Sequence, residues 1–254
     1  MRSEVLYEGP THRWVVMGRD PKKRDEVIDT NEYAVVTPNG TLLPDPGGIE
    51  IFPRVLSELT RYCAVDDVVA LFASHQDPDI VSSLPMWLDL CPNVKTYVSW
   101  MWTSFIAHFA MGRAANIIEI PDEGMPIPIG NARLQAVPAH YCHASGNFGL
   151  FDPTSRILFS GDVGAALLPS HDTSLFVEDF DQHVGYMRGF HQRWMPSTPA
   201  LRAWSKRVRA LNPSMICPQH GAIFRGDDVG RFLDWLDVLE VGRLDGSDAE
   251  REAA

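Results

Sequence analysis

Residues 71–83 read LFASHQDPDIVSS, and three side chains that bind metals stand at alternate positions in it: His75, Asp77 and Asp79. The apolar run before them has the character of a buried strand. Alternate residues of an extended segment point to one side, so the three can face a common point. Pro78 favours an extended backbone at Asp77 and helps to hold that geometry. Three other apolar runs end on the same residue types. ARLQAVPA leads into His140 and His143; RILFSG leads into Asp162, between Gly161 and Gly164; SMICPQ leads into His220, followed by Gly221. Each residue alone has an ordinary reading as a turn residue or a satisfied polar group. Four strand ends that all deliver His or Asp to one edge of a sheet point to a metal centre.

The elements that must carry these residues can be placed by pattern. YAVVTPNGTLLPD is expected to be a hairpin with a type I′ turn at Asn39-Gly40. Ile51, Val55, Leu56 and Leu59 fall at helical spacing. DDVVALFASH is a β-rich run, and DIVSSLPMWLDLC a helix after it. VKTYVS, NIIEI, ARLQAVPA and SMICP are strands, and FGLFDPTSRILFSGD is a second hairpin around residues 152–155. Helices are expected at about 174–190, 197–211 and over VGRFLDWLDVLE. Hairpins mixed with βα units imply an α/β protein with sheets sandwiched between helices. The chain gives no clean boundary, so 1–254 is taken as one domain, with 244–254 a frayed tail.

The net charge of −11 and the lack of a Lys/Arg block argue against a nucleic-acid or anionic-membrane surface. No signal-peptide pattern and no membrane-length apolar run is present. Cys63, Cys91, Cys142 and Cys217 form no CxxC and read as free thiols of a reducing compartment, so a cytoplasmic location is expected. GGIE lacks the Lys-Ser/Thr of a phosphate loop, and no Gly-x-Ser-x-Gly marks a serine hydrolase.

The order His-x-Asp-x-Asp, then His, Asp and His, resembles the metallo-β-lactamase superfamily. More narrowly, AHYCHASGNF, ILFSGDVG and CPQHG are similar to its di-iron branch, the flavodiiron proteins and their oxygen-binding relatives. An acid at Asp77, where the hydrolase branch usually has His, separates the two. The resemblance covers nearly the whole chain and implies an αββα sandwich. It also implies two iron ions, with His75, Asp77 and His143 on one, Asp79 and His220 on the other, and Asp162 bridging. His143, 19 residues before Asp162, fits the pattern better than His140, which is left beside the metals.

Three carboxylates and three imidazoles without a thiolate suit iron or manganese as well as zinc. Ile80 departs from the pattern: many flavodiiron proteins have His there, and Ile cannot coordinate, so it is expected to mark the open side of the second metal. No flavodoxin-like segment follows, so no FMN is expected in this chain. The function implied is binding of O2, or another diatomic gas such as NO, as a sensor or carrier. A redox or signalling protein is the implied partner class, and a homo-oligomer is compatible with it. The rivals are an O2 or NO reductase with an external electron donor and a di-zinc hydrolase. His108, Trp100, Trp102 and Phe105 are expected in the core. His171, His183 and His191 are expected at the surface or near the site without ligating.

Overall fold

In the computed structural model, residues 1–19, 28–109 and 116–242 are described, and the expected tail at 244–254 lies outside them. Strands β1 (Arg2–Glu8), β2 (Arg13–Gly18), β3 (Glu32–Thr37), β4 (Gly40–Pro44), β5 (Val68–Phe72), β6 (Lys95–Ser99) and β7 (Ile117–Ile120) form one sheet in sequence order. The pairings are antiparallel up to β4 and parallel from β4 to β7. The second sheet contains β8 (Pro126–Ile129), β9 (Ala132–Pro138), β10 (Phe148–Asp152), β11 (Ile157–Gly161), β12 (Met215–Pro218) and β13 (Phe224–Arg225), in the order β13-β12-β11-β10-β9-β8.

Both faces of the central strands are covered, so β2, β5, β11 and β12 are largely apolar rather than alternating with polar residues. In β2, Trp14 and Val16 pack between the sheets, while Val15 and Met17 pack under the outer helices. In β11, Ile157 and Phe159 point inward and Leu158 outward. Helices α1 (Phe52–Leu59), α2 (Pro78–Val81) and α3 (Leu84–Leu90) cover the first sheet through Val55, Leu59, Val81 and Trp87; the short α4 (Thr103–Ile106) adds Ile106. Helices α5 (Phe180–Trp194), α6 (Thr198–Leu211) and α7 (Asp227–Val238) cover the second through Met187, Trp204 and Phe232. Three apolar layers between four layers of structure make the αββα sandwich that the resemblance implies. At the end away from the metal-binding residues, Asp152 of the second sheet accepts from Trp14 Nε1 at 2.9 Å and lies 2.7 Å from His12 Nε2, which pins the sheets together.

Several sequence expectations are corrected. The first hairpin pairs Thr37 with Gly40, so its turn is Pro38-Asn39 rather than Asn39-Gly40. Proline cannot take the positive φ that a type I′ turn needs, and Thr37 Oγ1 holds the turn instead by accepting from Asn39 N at 3.1 Å. The single helix expected over 79–91 is two. Pro85 has no N–H to donate, and the helix breaks at Ser82-Ser83. α5 starts at 180, not 174, because Asp179 caps it by accepting from Asp181 N and Gln182 N. β8, with prolines at 126 and 128, is an edge strand that its prolines concealed. His108, Trp100 and Phe105 are exposed rather than core.

Candidate metal centre

The loops that follow β5, β9 and β11 meet at one end of the sandwich and bring His75, Asp77, His143 and Asp162 into one cluster, and the loop after β12 sets His220 beside Asp162. His143 Nε2 lies 3.0 Å from Asp162 Oδ2 and 3.3 Å from Asp77 Oδ2; His75 Nε2 lies 3.5 Å and 3.4 Å from the same two atoms. The other oxygen of Asp162 faces a second pair. Asp162 Oδ1 is 3.5 Å from His220 Nε2, which is 3.3 Å from Asp79 Oδ2. One carboxylate therefore turns each of its oxygens to a different set of side chains.

The alternate-side geometry expected for the first motif holds only as far as Asp77, which is extended (φ −69°, ψ 151°). Pro78 starts α2, and Asp79 sits in its first turn. That change of backbone carries Asp79 away from Asp77 and to His220. Asp77 and Asp79 thus serve different pairs although one residue separates them.

Backbone and side chains fix which nitrogen each imidazole offers. Ser74 Oγ donates to Asp45 Oδ2 at 2.7 Å, so its oxygen accepts from His75 Nδ1–H at 2.9 Å. Asp45 Oδ1 also accepts from Ser74 N at 2.7 Å. His220 Nδ1–H donates to the carbonyl of Asp29 at 2.8 Å. In the neutral form both rings therefore keep the lone pair on Nε2, turned inward. The loop carrying His220 is stapled to the first sheet: Asn31 Nδ2 donates to Gly221 O at 2.7 Å, and Tyr33 Oη to Pro218 O at 2.9 Å.

Burial opposes charge on these imidazoles, but the facing carboxylates outweigh it. His143 is raised to about 9 by Asp162 and Asp77, and His220 to about 9 by Asp79 and Asp162. Asp162 is held well below the usual carboxylate range despite its burial, by His75 and His143. Behind the cluster, burial pushes Asp45 up to about 7.

The residues fit a metal pair. His75 Nε2, His143 Nε2 and Asp162 Oδ1 are buried without an aligned hydrogen-bond partner. Buried polar atoms left in that way are costly unless something else satisfies them. Here the atoms converge, and their chemistry is that of metal ligands.

His140, the alternative to His143, turns away. Its Nε2 bonds to the carbonyl of Asp122 at 2.9 Å. Ile80 is fully buried in the apolar layer under the first sheet with Val81 and Leu84, so it does not line an opening. Sequence reasoning missed the aromatic cover. Phe190 and Trp194 of α5 stack at 5.7 Å; Trp194 lies 5.7 Å from the His143 ring, and Phe190 is 6.4 Å from that of His220. Their i, i+4 spacing was legible, but their contacts come only from how α5 docks. On the carboxylate side the cluster is more open: the side chains of Asp77 and Asp79 are 26% and 22% exposed, against 1% for His75.

A family model described as ODP family beta lactamase matches residues 28–221. A structure described as the peroxy diiron species of chemotaxis sensor ODP is 39% identical, with a TM-score of 0.85, over 95% of this chain and 97% of that one. The apo state of chemotaxis sensor ODP from T. denticola is 40% identical, with a TM-score of 0.84, over 95% and 96%. A mutant flavo di-iron protein from Thermotoga maritima shares the fold at 18% identity and a TM-score of 0.79, over 93% of this chain and 60% of that one. A search of curated proteins finds no match.

Proposed function

This chain belongs to the ODP family of beta lactamases, and from that premise we propose that it holds two iron ions and binds O2, or another diatomic gas such as NO, as a sensor or carrier. The observation that carries the reading is Asp162, whose two oxygens face separate imidazole–carboxylate sets. His75, Asp77 and His143 would hold one ion, Asp79 and His220 the other, and Asp162 both. Three carboxylates balance more positive charge than a hydrolase-type site with His in place of Asp77, which favours iron over zinc. When bound, the metals supply an open, redox-active position for a small ligand.

The protein's own residues do the rest. The Asp45–Ser74 pair and the Asp29 carbonyl hold His75 and His220 with Nε2 inward. Phe190 and Trp194 keep water from the imidazole side, and a small ligand enters past Asp77 and Asp79. No helix among the described residues is long and apolar enough to cross a membrane. A cytoplasmic location and a redox or signalling protein as partner complete the proposal.

Elemental analysis of protein made in iron-sufficient medium, with optical spectra of the reduced protein before and after air, tests it. About two irons per chain and a spectral change on aeration are expected. Stoichiometric zinc with negligible iron and hydrolysis of generic esters would sink it in favour of a di-zinc hydrolase.

A further inference from the structure

His191 is fully buried on α5, next to Phe190, and both of its nitrogens are committed. Nδ1–H donates to the carbonyl of Met187 at 2.9 Å, one turn back, and Nε2 accepts from the backbone N–H of Gly164 at 3.1 Å. A carbonyl can only accept, so the tautomer is fixed. With Nε2 engaged by an N–H, no lone pair is left for a metal, and His191 is excluded as a ligand. Burial, partly opposed by the bond to Met187, lowers it to about 4, in keeping with a neutral ring.

Gly164 belongs to the loop that presents Asp162. Its φ is +102°, and a Cβ there would come within 3.0 Å of Phe224 and 3.3 Å of Phe232, so the backbone is pressed against β13 and α7. Within the loop, Val163 N bonds to Ser160 O and Ala165 N to Asp162 O, which makes a tight, self-bonded turn. Two bonds anchor that turn to α5: Gly164 N to His191, and Leu167 N to the carbonyl of Tyr186. The first is two residues from the carboxylate. Trp235 packs edge-on to the His191 ring at 5.2 Å and keeps it in place.

From this we infer that His191 is the positioning residue for Asp162: it grips the loop backbone so that the carboxylate presents one oxygen to each side of the site. A role in packing alone would be met by any side chain of like volume. The positioning role needs an acceptor at the Nε2 position. The inference rests on Asp162 serving two metals.

Two variants of the full chain separate the bonds. His191→Asn keeps a donor near Met187 O and removes the acceptor that reaches Gly164; His191→Gln places a carbonyl oxygen near the Nε2 position. Calorimetric titration of metal-free protein with Mn(II) should give two sites in the wild type. The weaker site should lose at least tenfold in affinity in the Asn variant and stay within about threefold in the Gln variant. Native far-UV circular dichroism in both, with equal affinities, overturns the inference. Should the Asn variant fail to fold, His191→Leu, of similar volume but without an acceptor, takes its place: a tenfold loss supports positioning, and affinity within threefold overturns it. If the wild type takes up no metal pair, the metal reading has failed. Amide exchange of metal-free protein then judges the grip by itself: Gly164 N–H should be slow in wild type and Gln variant and fast in the Asn variant, and equal rates in all three overturn it.

Discussion

Asn31, the residue before β3, reaches across the mouth of the sandwich and donates from Nδ2 to the carbonyl of Gly221 at 2.7 Å, one residue beyond His220. The loop of one sheet that carries His220 is therefore tied to the other sheet. Asn31→Ala leaves a buried carbonyl without its donor, which costs about 1–3 kcal/mol. Denaturant unfolding of the metal-free variant should show that loss. Metal titration should show the Asp79–His220 side weakened more than the His75–Asp77–His143 side.

Asp162→Ala should abolish the paired centre, because among the described residues no other carboxylate of the site turns an oxygen to each side. Asp77→His should keep two metals and shift preference towards zinc, since it removes one negative charge. Metal counts on the two variants check this, and a normal pair in Asp162→Ala would refute the bridging role.

Of this site, the sequence displayed the clustered His and Asp residues and hid their surroundings. His75, Asp77, His143, Asp162 and His220 were legible because each stands just past an apolar strand, and strand ends gather at one edge of a sheet. The division between Asp77 and Asp79 was not, since it depends on Pro78 opening a helix instead of prolonging the strand. Phe190, Trp194 and His191 lay in a segment with a readable helical period, but their partners are set by docking of α5. The exposure of Trp100 and Phe105 was misread because large aromatics are ordinarily core, and these two lie on the short turns after β6.

Ser74→Ala should weaken metal binding by about tenfold to a hundredfold, the usual cost of losing a group that orients a ligating imidazole. The hydroxyl both donates to Asp45 and accepts from His75. Titration with Zn(II) measures the loss. Unchanged affinity would mean that packing alone holds His75.

Stability and metal affinity should run in opposite directions with pH. In the metal-free protein His143 and His220 are raised to about 9 from an ordinary value of 6.5. Their ion pairs therefore stabilise the fold fully below about pH 6.5, and the contribution is lost as pH rises through about 9. Metals need the neutral rings, so affinity should climb across the same window and uptake should release protons. Unfolding of metal-free protein at pH 6.5 and 9, with calorimetry in buffers of different ionisation enthalpy, tests both trends.

Trp194 should report occupancy. Its ring lies 5.7 Å from that of His143 and is half exposed. Iron binding should quench its fluorescence, and Trp194→Phe should remove most of the change. Equal quenching in the variant would place the responsive tryptophan elsewhere.

The staple between Asn31 and Gly221, and the bond from His220 to Asp29, join residues 190 and 191 positions apart in the chain. Contacts of such long separation form late, because a large loop must close before they stabilise anything. During synthesis, the first-motif residues would leave the ribosome long before His220 exists. The nascent chain can thus offer a few weak carboxylates and imidazoles, but not a completed centre. Metallation should then follow translation, with the finished fold presenting both halves of the site together.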